Sequence, residues 1–241
     1  MVNYYKTLFS STLQNVSQDV LACVPTIIDD EMNNVLCREL GENEVAATLQ
    51  QMAPLKVPGP DGMPPLFDQH SWGTVGNDVT SSILVWLNSS ILPTPLNHTF
   101  ITHIPKTSNP EHAHQFCPIS LCHVLYKIYS KVLANRLKKL LPSIITEYQS
   151  LTKDRLISNN ILVAFETLHC LQNCKSGTHG FMALKLDKSK AYDGIDWNFL
   201  DKIMRKIGFN EQWINLIMRC VKIVSYSVLV NGEPCSMIHP T

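Results

Sequence analysis

The sequence predicts an α+β fold in which helices dominate and a few short strands form a small sheet. Apolar residues recur at spacings of three and four over several long segments, as they do on one face of an amphipathic helix. Residues 181–187 (FMALKLD) instead alternate as a strand does, and the run SYSVLV at 225–230 is followed by Asn231-Gly232, a strong hairpin signal. Apolar residues make up 45% of the 241 residues, which is enough for a buried core.

The first half of the chain is expected to contain two amphipathic helices and one strand. The first helix spans residues 43–54 and ends in the rigid turn at 58–62 (PGPDG). The second helix is expected to begin at Asp78, whose side chain can cap it. Residues 99–104 read as a strand that is closed by Pro105.

The strongest helical pattern of the chain spans residues 121–141, with Pro142 as its stop. One face is apolar and the other is basic, and no acidic residue occurs between positions 112 and 146. A lysine or arginine that neutralises a phosphate releases counterions, so this face is suited to nucleic acid. The candidate contacts are Lys127, Lys131 and Arg136. The alternative is a solvated helix face, which we prefer for Lys138 and Lys139.

The second half is expected to add three helices and two strands. One helix covers about 157–173, a second is capped by Asp196 and stopped by Gly208, and a third begins after Asn210. The strand at 225–230 should turn at Asn231-Gly232, with almost no return strand after it. Such a hairpin would expose a sheet edge and favour aggregation.

Asp187 ends the alternating strand at 181–187 and precedes a turn. A carboxylate in this position is well placed for Mg²⁺, which takes one or two carboxylates together with phosphate oxygens and water. The alternative is that Asp187 only starts a turn, because aspartate is a common turn residue.

Composition excludes little about the partners of the chain. The 20 lysines and arginines balance the 20 aspartates and glutamates, so any basic surface must be local. No apolar run is long enough for a bilayer span and the N-terminus lacks a signal peptide, so we expect an intracellular protein without a membrane partner. The eight cysteines contain no C-x2-C pair, and free thiols are preferred to a zinc site built from His112, His114, Cys117, Cys122 and His123.

Six segments, in order along the chain, resemble the reverse transcriptases of LINE-type (non-LTR) retrotransposons. They are KVPGPDG at 56–62, ITHIPK at 101–106, PISL at 118–121 with YKIYSKVLANRL at 126–137, ILVAFETLH at 161–169, LDKSKAYDGIDW at 186–197 and SYSVLVNGEP at 225–234. The resemblance implies a helix-rich fragment of a right-hand polymerase, with fingers and an incomplete palm sheet. It implies a helical extension at 1–56, a fingers-like region at 57–180 and the start of the palm, truncated, at 181–241.

The resemblance also implies roles for individual residues. Asp187 corresponds to the first metal-binding carboxylate of the palm, which holds Mg²⁺, and Lys188 would lend its backbone carbonyl to the metal. Tyr192 corresponds to the aromatic gate that excludes a ribose 2′-OH; otherwise it is a partly buried core tyrosine. Arg155 is a candidate for binding the nucleotide. The implied partners are an RNA template, a DNA primer and dNTPs.

Three departures from the family pattern bear on activity. Cys117 replaces the family's arginine before Pro-Ile-Ser, and a thiol cannot hold a phosphate as a guanidinium does. Residues 149–155 (QSLTKDR) replace QSAFVPGR, which puts Asp154 where it would repel a triphosphate and redirects Arg155. The acidic Tyr-Ala-Asp-Asp turn of the family does not occur in the 241 residues.

We therefore expect a reverse transcriptase fragment that is inactive alone. The alternatives are a non-catalytic nucleic-acid-binding remnant, a functionless decayed copy and a zinc-dependent interaction module around 112–123. A misplaced gene boundary would give the same picture of missing blocks.

Overall fold

The computed structural model of the chain describes residues 1–11, 18–89, 91–145, 157–173, 182, 184 and 194–241. The helices in these residues are α1 (Val2–Leu8), α2 (Gln18–Ala22), α3 (Asp30–Cys37), α4 (Glu42–Gln50), α5 (Pro65–His70), α6 (Trp72–Asn88), α7 (Val124–Lys138), α8 (Leu141–Ile144), α9 (Ile157–Asn173), α10 (Trp197–Ile207) and α11 (Glu211–Lys222). The strands are β1 (His98–Pro105), β2 (Phe116–Cys122), β3 (Ser225–Val230) and β4 (Glu233–Ile238). The predicted α+β class is confirmed.

The four strands form one sheet in the order β2-β1-β3-β4. β1 and β2 are antiparallel neighbours, β1 and β3 run parallel, and β3 and β4 form the antiparallel hairpin. Asn231 and Gly232 both have positive φ, 53° and 86°, as a two-residue hairpin turn with the twist of the strands requires. The expectation of almost no return strand is wrong, because β4 pairs with β3 over residues 233–238.

The main core lies where α4, α6, α7 and α11 meet. Its largest fully buried side chains include Trp213 of α11, Tyr129 and Ile128 of α7, Leu49 of α4 and Ile83 of α6. α7 lies at the centre of this group and packs on both α4 and α6. Because the buried residues of α7 recur at three- and four-residue spacing, burial of this stripe orients its opposite, basic face.

A second, smaller core joins the N-terminal helix to the sheet. Tyr5 of α1 is fully buried against Ile101 of β1, Val228 of β3 and Ile238 of β4. Phe9 stacks on the Tyr5 ring at a centroid distance of 5.7 Å. Residues from all three expected segments therefore share cores, and the division at 56 and 180 stays a prediction about roles along the chain.

The helix ends near the C-terminus follow the sequence expectation. The Asp196 side chain accepts a hydrogen bond from the Phe199 backbone N–H at 2.9 Å, and the Asn210 side chain accepts one from the Gln212 N–H at 2.8 Å. A hydrogen bond from Ser11 to the second oxygen of Asp196 helps to hold the pKa of that carboxyl below its usual value. Gly208 ends α10 with φ at 106°. Asp196 is thus a capping residue.

Two helix starts differ from the expectation. α6 begins at Trp72 and Asp78 lies inside it, because the Trp72 ring packs over Gly76 and against the main core. α7 begins at Val124 rather than at 121, because the residues just before it pair with β1. Pro142 lies in the first turn of the separate helix α8 rather than stopping α7.

The predicted helix at 157–173 is present as α9, and its apolar side chains include the exposed Ile161 and Phe165. The predicted strand at 181–187 lies mostly outside the described residues. Of its positions only Met182 and Leu184 are described, and both are exposed and outside any strand.

We predict that Gly208→Ala lowers the free energy of unfolding by about 2–4 kcal/mol. The positive φ is strained for alanine, and the added Cβ is too close to its neighbours. A Cβ there would lie 2.6 Å from the Ile28 carbonyl oxygen and 2.9 Å from Thr26 Cγ2. Gly73→Ala is the matched control, since nothing lies within 4 Å of its Cβ. Urea denaturation of both variants measures the difference; equal midpoints would contradict the packing described around Gly208.

Candidate nucleic-acid interface and polymerase site

The four residues expected to handle metal and nucleotide lie outside the described residues. They are Asp187, Lys188, Tyr192 and Arg155. Their expected roles therefore stay predictions.

The two candidate lysines lie one turn apart on α7. Lys127 and Lys131 are both partly exposed, whereas Lys138 and Lys139 at the end of the helix are exposed. The Lys127 ammonium donates to the backbone carbonyl of Val57 at 3.3 Å. In the described part of the chain, neither Lys127 nor Lys131 has a carboxylate within 4.0 Å. Their charges are therefore not neutralised by a described ion pair.

Arg136 is buried instead of facing solvent, with only 2% of its surface exposed. Its Nε donates to Glu44 Oε2 at 2.9 Å, and one Nη2 hydrogen bond reaches Glu44 Oε1 at 2.6 Å. The other three donors reach backbone carbonyls, those of Leu36, Arg38 and Glu39. All five N–H groups of the guanidinium are thus used within the protein. The expectation that Arg136 contacts nucleic acid is wrong, because no donor remains for a phosphate.

The Arg136 contacts fasten α7 to the connection between α3 and α4. Glu44 lies in the first turn of α4, where the helix dipole also stabilises a carboxylate. The hydrogen bonds from Arg136 hold the pKa of the Glu44 carboxyl below its ordinary value, against the opposing effect of burial. The sequence contained no local signal for this pair, because its members are 92 positions apart.

Cys117, which stands where the resembling family has arginine, lies on β2 opposite Ile104 of β1. Its side chain is partly exposed and its thiol has Pro118 O at 4.0 Å, so it makes at most a weak contact. Residue 117 therefore offers no positive charge to a phosphate.

The histidines and cysteines at 112–123 do not converge. The rings of His112 and His114 stack on each other with their centroids 5.6 Å apart. The Cys122 Sγ lies 3.5 Å from the Thr99 hydroxyl, and the His123 Nδ1 lies 3.2 Å from Asp61 Oδ2. Across the described ranges no three His, Cys, Asp or Glu side chains are grouped as metal ligands. These residues thus give no support to the zinc-module alternative.

A cleft of about 720 Å³ opens between the sheet, α7, and the start of α10. Its polar wall includes Asn97, Thr99, Ser130 and Asp196. Asn97 is buried and donates to the Cys220 carbonyl at 2.8 Å. No lysine, arginine or histidine is among the described residues that line the cleft, so these walls offer no charge that would retain a triphosphate.

Residues 104–238 match the family described as reverse transcriptase (RNA-dependent DNA polymerase). The match covers more than half of the chain and includes β2, α7, the Asp187 segment and the C-terminal hairpin. The chain belongs to the reverse transcriptase family. Members of this family use divalent metal ions and bind a nucleic-acid template and dNTPs.

The chain is also similar to a Xenopus laevis protein named Transposon TX1 uncharacterized 149 kDa protein. The two are 25% identical over 218 residues, which is 89% of this chain and 16% of the relative. The chain thus spans about one sixth of the length of the curated relative that it matches. The family match confirms the prediction of a reverse transcriptase domain, and the similarity to a transposon protein agrees with the expected retrotransposon type.

Among the described helices, none combines the length and the apolar character needed to cross a bilayer.

We predict that Arg136→Met lowers the free energy of unfolding by about 3 kcal/mol, because it leaves a half-buried carboxylate and three carbonyls without their donor. Lys138→Met, in the last turn of the same helix and exposed, should change it by less than about 0.5 kcal/mol. Urea denaturation at neutral pH measures both. An Arg136→Met protein as stable as the wild type would show that the pair does not fasten α7.

The acid range should show the Glu44 contribution separately. A carboxyl whose pKa is lowered in the folded state adds stability above its unfolded pKa, near 4.5, and loses it as pH falls through the folded value. We therefore expect Glu44→Gln to cost most stability at neutral pH and progressively less as pH falls below about 4. Urea midpoints across pH 2–7 measure this; a pH-independent cost would contradict the lowered pKa.

Proposed function

We propose that the chain is part of an RNA-directed DNA polymerase of a LINE-type retrotransposon, to which it contributes template contacts and the first palm carboxylate. The observation that carries the proposal is the family match over residues 104–238, which includes both α7 and the Asp187 segment. The intracellular location expected from the sequence belongs to the same proposal.

The nucleic-acid contact is assigned to Lys127 and Lys131. Both are on one side of a helix that is fixed by its buried stripe and by Arg136, so their ammonium groups are presented from a rigid support. A rigid support lowers the entropic cost of binding. The bound nucleic acid is an RNA template with its DNA primer.

The nucleotide side of the site is proposed from the family resemblance alone. Asp187 and the carbonyl of Lys188 would hold Mg²⁺, Tyr192 would exclude the 2′-OH of a ribonucleotide, and Arg155 would contact the triphosphate. Polymerases use two such Mg²⁺ ions, which stabilise the attacking and leaving oxygens of the reaction. The 241 residues contain no Tyr-Ala-Asp-Asp turn, so we propose that this polypeptide alone does not synthesise DNA.

A second candidate function is nucleic-acid binding without catalysis. It is favoured by Cys117, because the family's guanidinium is missing from this strand while the two lysines of α7 are retained. The two candidates agree about α7 and differ about Asp187.

We predict that the chain binds an RNA–DNA template–primer and that the dissociation constant rises steeply with salt. Lys127→Ala and Lys131→Ala should each weaken binding roughly fivefold at about 100 mM salt and reduce the salt slope by about one. Fluorescence anisotropy across a salt series measures both quantities. Lys139→Ala is the matched control, expected within about twofold of wild type because it loses no phosphate contact. If all three variants bind like the wild type, α7 is not the interface.

Primer extension on an RNA template with dNTPs and Mg²⁺ tests the catalytic half of the proposal. We expect no extension from the 241-residue chain, because it carries a single acid of the required set. Extension that disappears in Asp187→Ala would contradict this expectation, and would mean that the other carboxylates come from elsewhere in the chain or from a second copy. Extension that persists in Asp187→Ala would contradict the assignment of Asp187.

A further inference from the structure

The segment at 57–62 (VPGPDG) is part of a sequence block that the proposed function leaves without a role. The Gly62 N–H donates to the Gly59 carbonyl at 3.0 Å, and Gly62 has φ at 70°, so the segment is a tight turn. This turn lies against the junction where β2 ends at Cys122 and α7 begins at Val124.

The approach of the turn to this junction requires glycine at position 59. A Cβ at Gly59 would lie 2.4 Å from the Cys122 carbonyl carbon and 2.6 Å from the His123 nitrogen. These neighbours are backbone atoms, which cannot move aside as a flexible side chain can. The turn is therefore in direct backbone contact with the start of α7.

Asp61 makes the polar part of this contact. Its Oδ2 accepts a hydrogen bond from the Val124 backbone N–H at 3.3 Å and lies 3.2 Å from His123 Nδ1. Its Oδ1 accepts one from the Met63 N–H at 3.3 Å, within its own turn. His123, the residue before α7, makes no capping hydrogen bond with its side chain. The Asp61 carboxylate, 63 positions earlier than Val124, thus caps α7, and the helix dipole stabilises its negative charge there.

The same turn restrains a proposed nucleic-acid ligand. The Lys127 ammonium donates to the carbonyl of Val57, at the beginning of the segment. Lys127 lies one turn into the helix that Asp61 caps. Both ends of the segment are thus tied to α7, one to its first N–H and the other to the side chain of Lys127.

We propose that Asp61 is a positioning residue for nucleic-acid binding: by fixing the turn at 57–62 against α7 it sets where the Lys127 ammonium is presented to a phosphate. This inference rests on the proposed function of Lys127. Loss of the Asp61 carboxylate releases the turn, and the Val57 carbonyl then no longer holds the ammonium in place. The effect on binding acts through Lys127 and not through direct contact of Asp61, whose negative charge would repel a phosphate.

A double-mutant cycle on template–primer binding tests the proposal. Asp61→Ala and Lys127→Ala should each weaken binding about fivefold and reduce the salt slope by up to one, and the double variant should be no weaker than either alone, because both remove the same contact. Asp61→Asn should remain within about twofold of wild type, because its amide oxygen still accepts from the Val124 N–H. Fluorescence anisotropy across a salt series reads all four.

Asp29→Ala is the control for a purely structural effect. Asp29 caps α3 by accepting from the Met32 N–H at 2.8 Å, so its loss removes a cap of the same kind from the start of a different helix. It should lower the thermal midpoint and leave binding unchanged. If Asp61→Ala does not fold, Asp61→Ser takes its place, because its shorter hydroxyl does not span to α7.

Several outcomes would overturn the proposal. They are losses that multiply to about 25-fold in the double variant, an Asp61→Ala protein that binds like the wild type while Lys127→Ala is weakened, and an Asp29→Ala protein that binds as poorly as Asp61→Ala. If Lys127→Ala and Lys131→Ala both bind normally, the proposed function of α7 has failed, and that result is distinguishable from a failure of Asp61 alone.

Discussion

The buried guanidinium of Arg136 connects the parts of this structure on which the rest depends. It joins the last turn of α7 to the carboxylate of Glu44 and to three carbonyls of the α3–α4 connection. A charge buried to this degree is stable only when every donor has a partner, and here all five do. These hydrogen bonds fix α3 and α4 against α7 and leave the partly exposed Lys127 and Lys131 on the accessible surface of α7.

The other end of α7 is held in a different way. Arg136 acts through an ion pair near the C-terminal end, whereas Asp61 and the close approach of Gly59 act on the backbone at the first turn. A helix fastened at both ends and buried along one stripe loses little further freedom when it binds a ligand. The turn at 57–62 and the helix at 124–138 are far apart in sequence, yet each depends on the other for its place in the fold.

Local chemistry allowed part of this to be predicted. The caps at Asp196 and Asn210, the stop at Gly208 and the hairpin at Asn231 each depend on a few neighbouring residues, and each is present. The basic pattern of α7 predicts a solvated Arg136, whereas the partner that buries it is 92 positions away. The pattern at Asp78 predicts a helix cap, whereas the tertiary packing of Trp72 starts α6 six residues earlier. The family was predictable from six ordered blocks of sequence. The role of Asp187 stays a prediction, because this residue lies outside the described residues.

Photocrosslinking of an RNA–DNA template–primer to the chain at low salt, followed by peptide mapping, shows directly which helix contacts the nucleic acid. We expect crosslinks on peptides from α7 that contain Lys127 or Lys131, and their loss as salt is raised. Crosslinks confined to other helices such as α9, or crosslinks on α7 that persist unchanged at high salt, would contradict the claim that the fixed helix presents its lysines to nucleic acid.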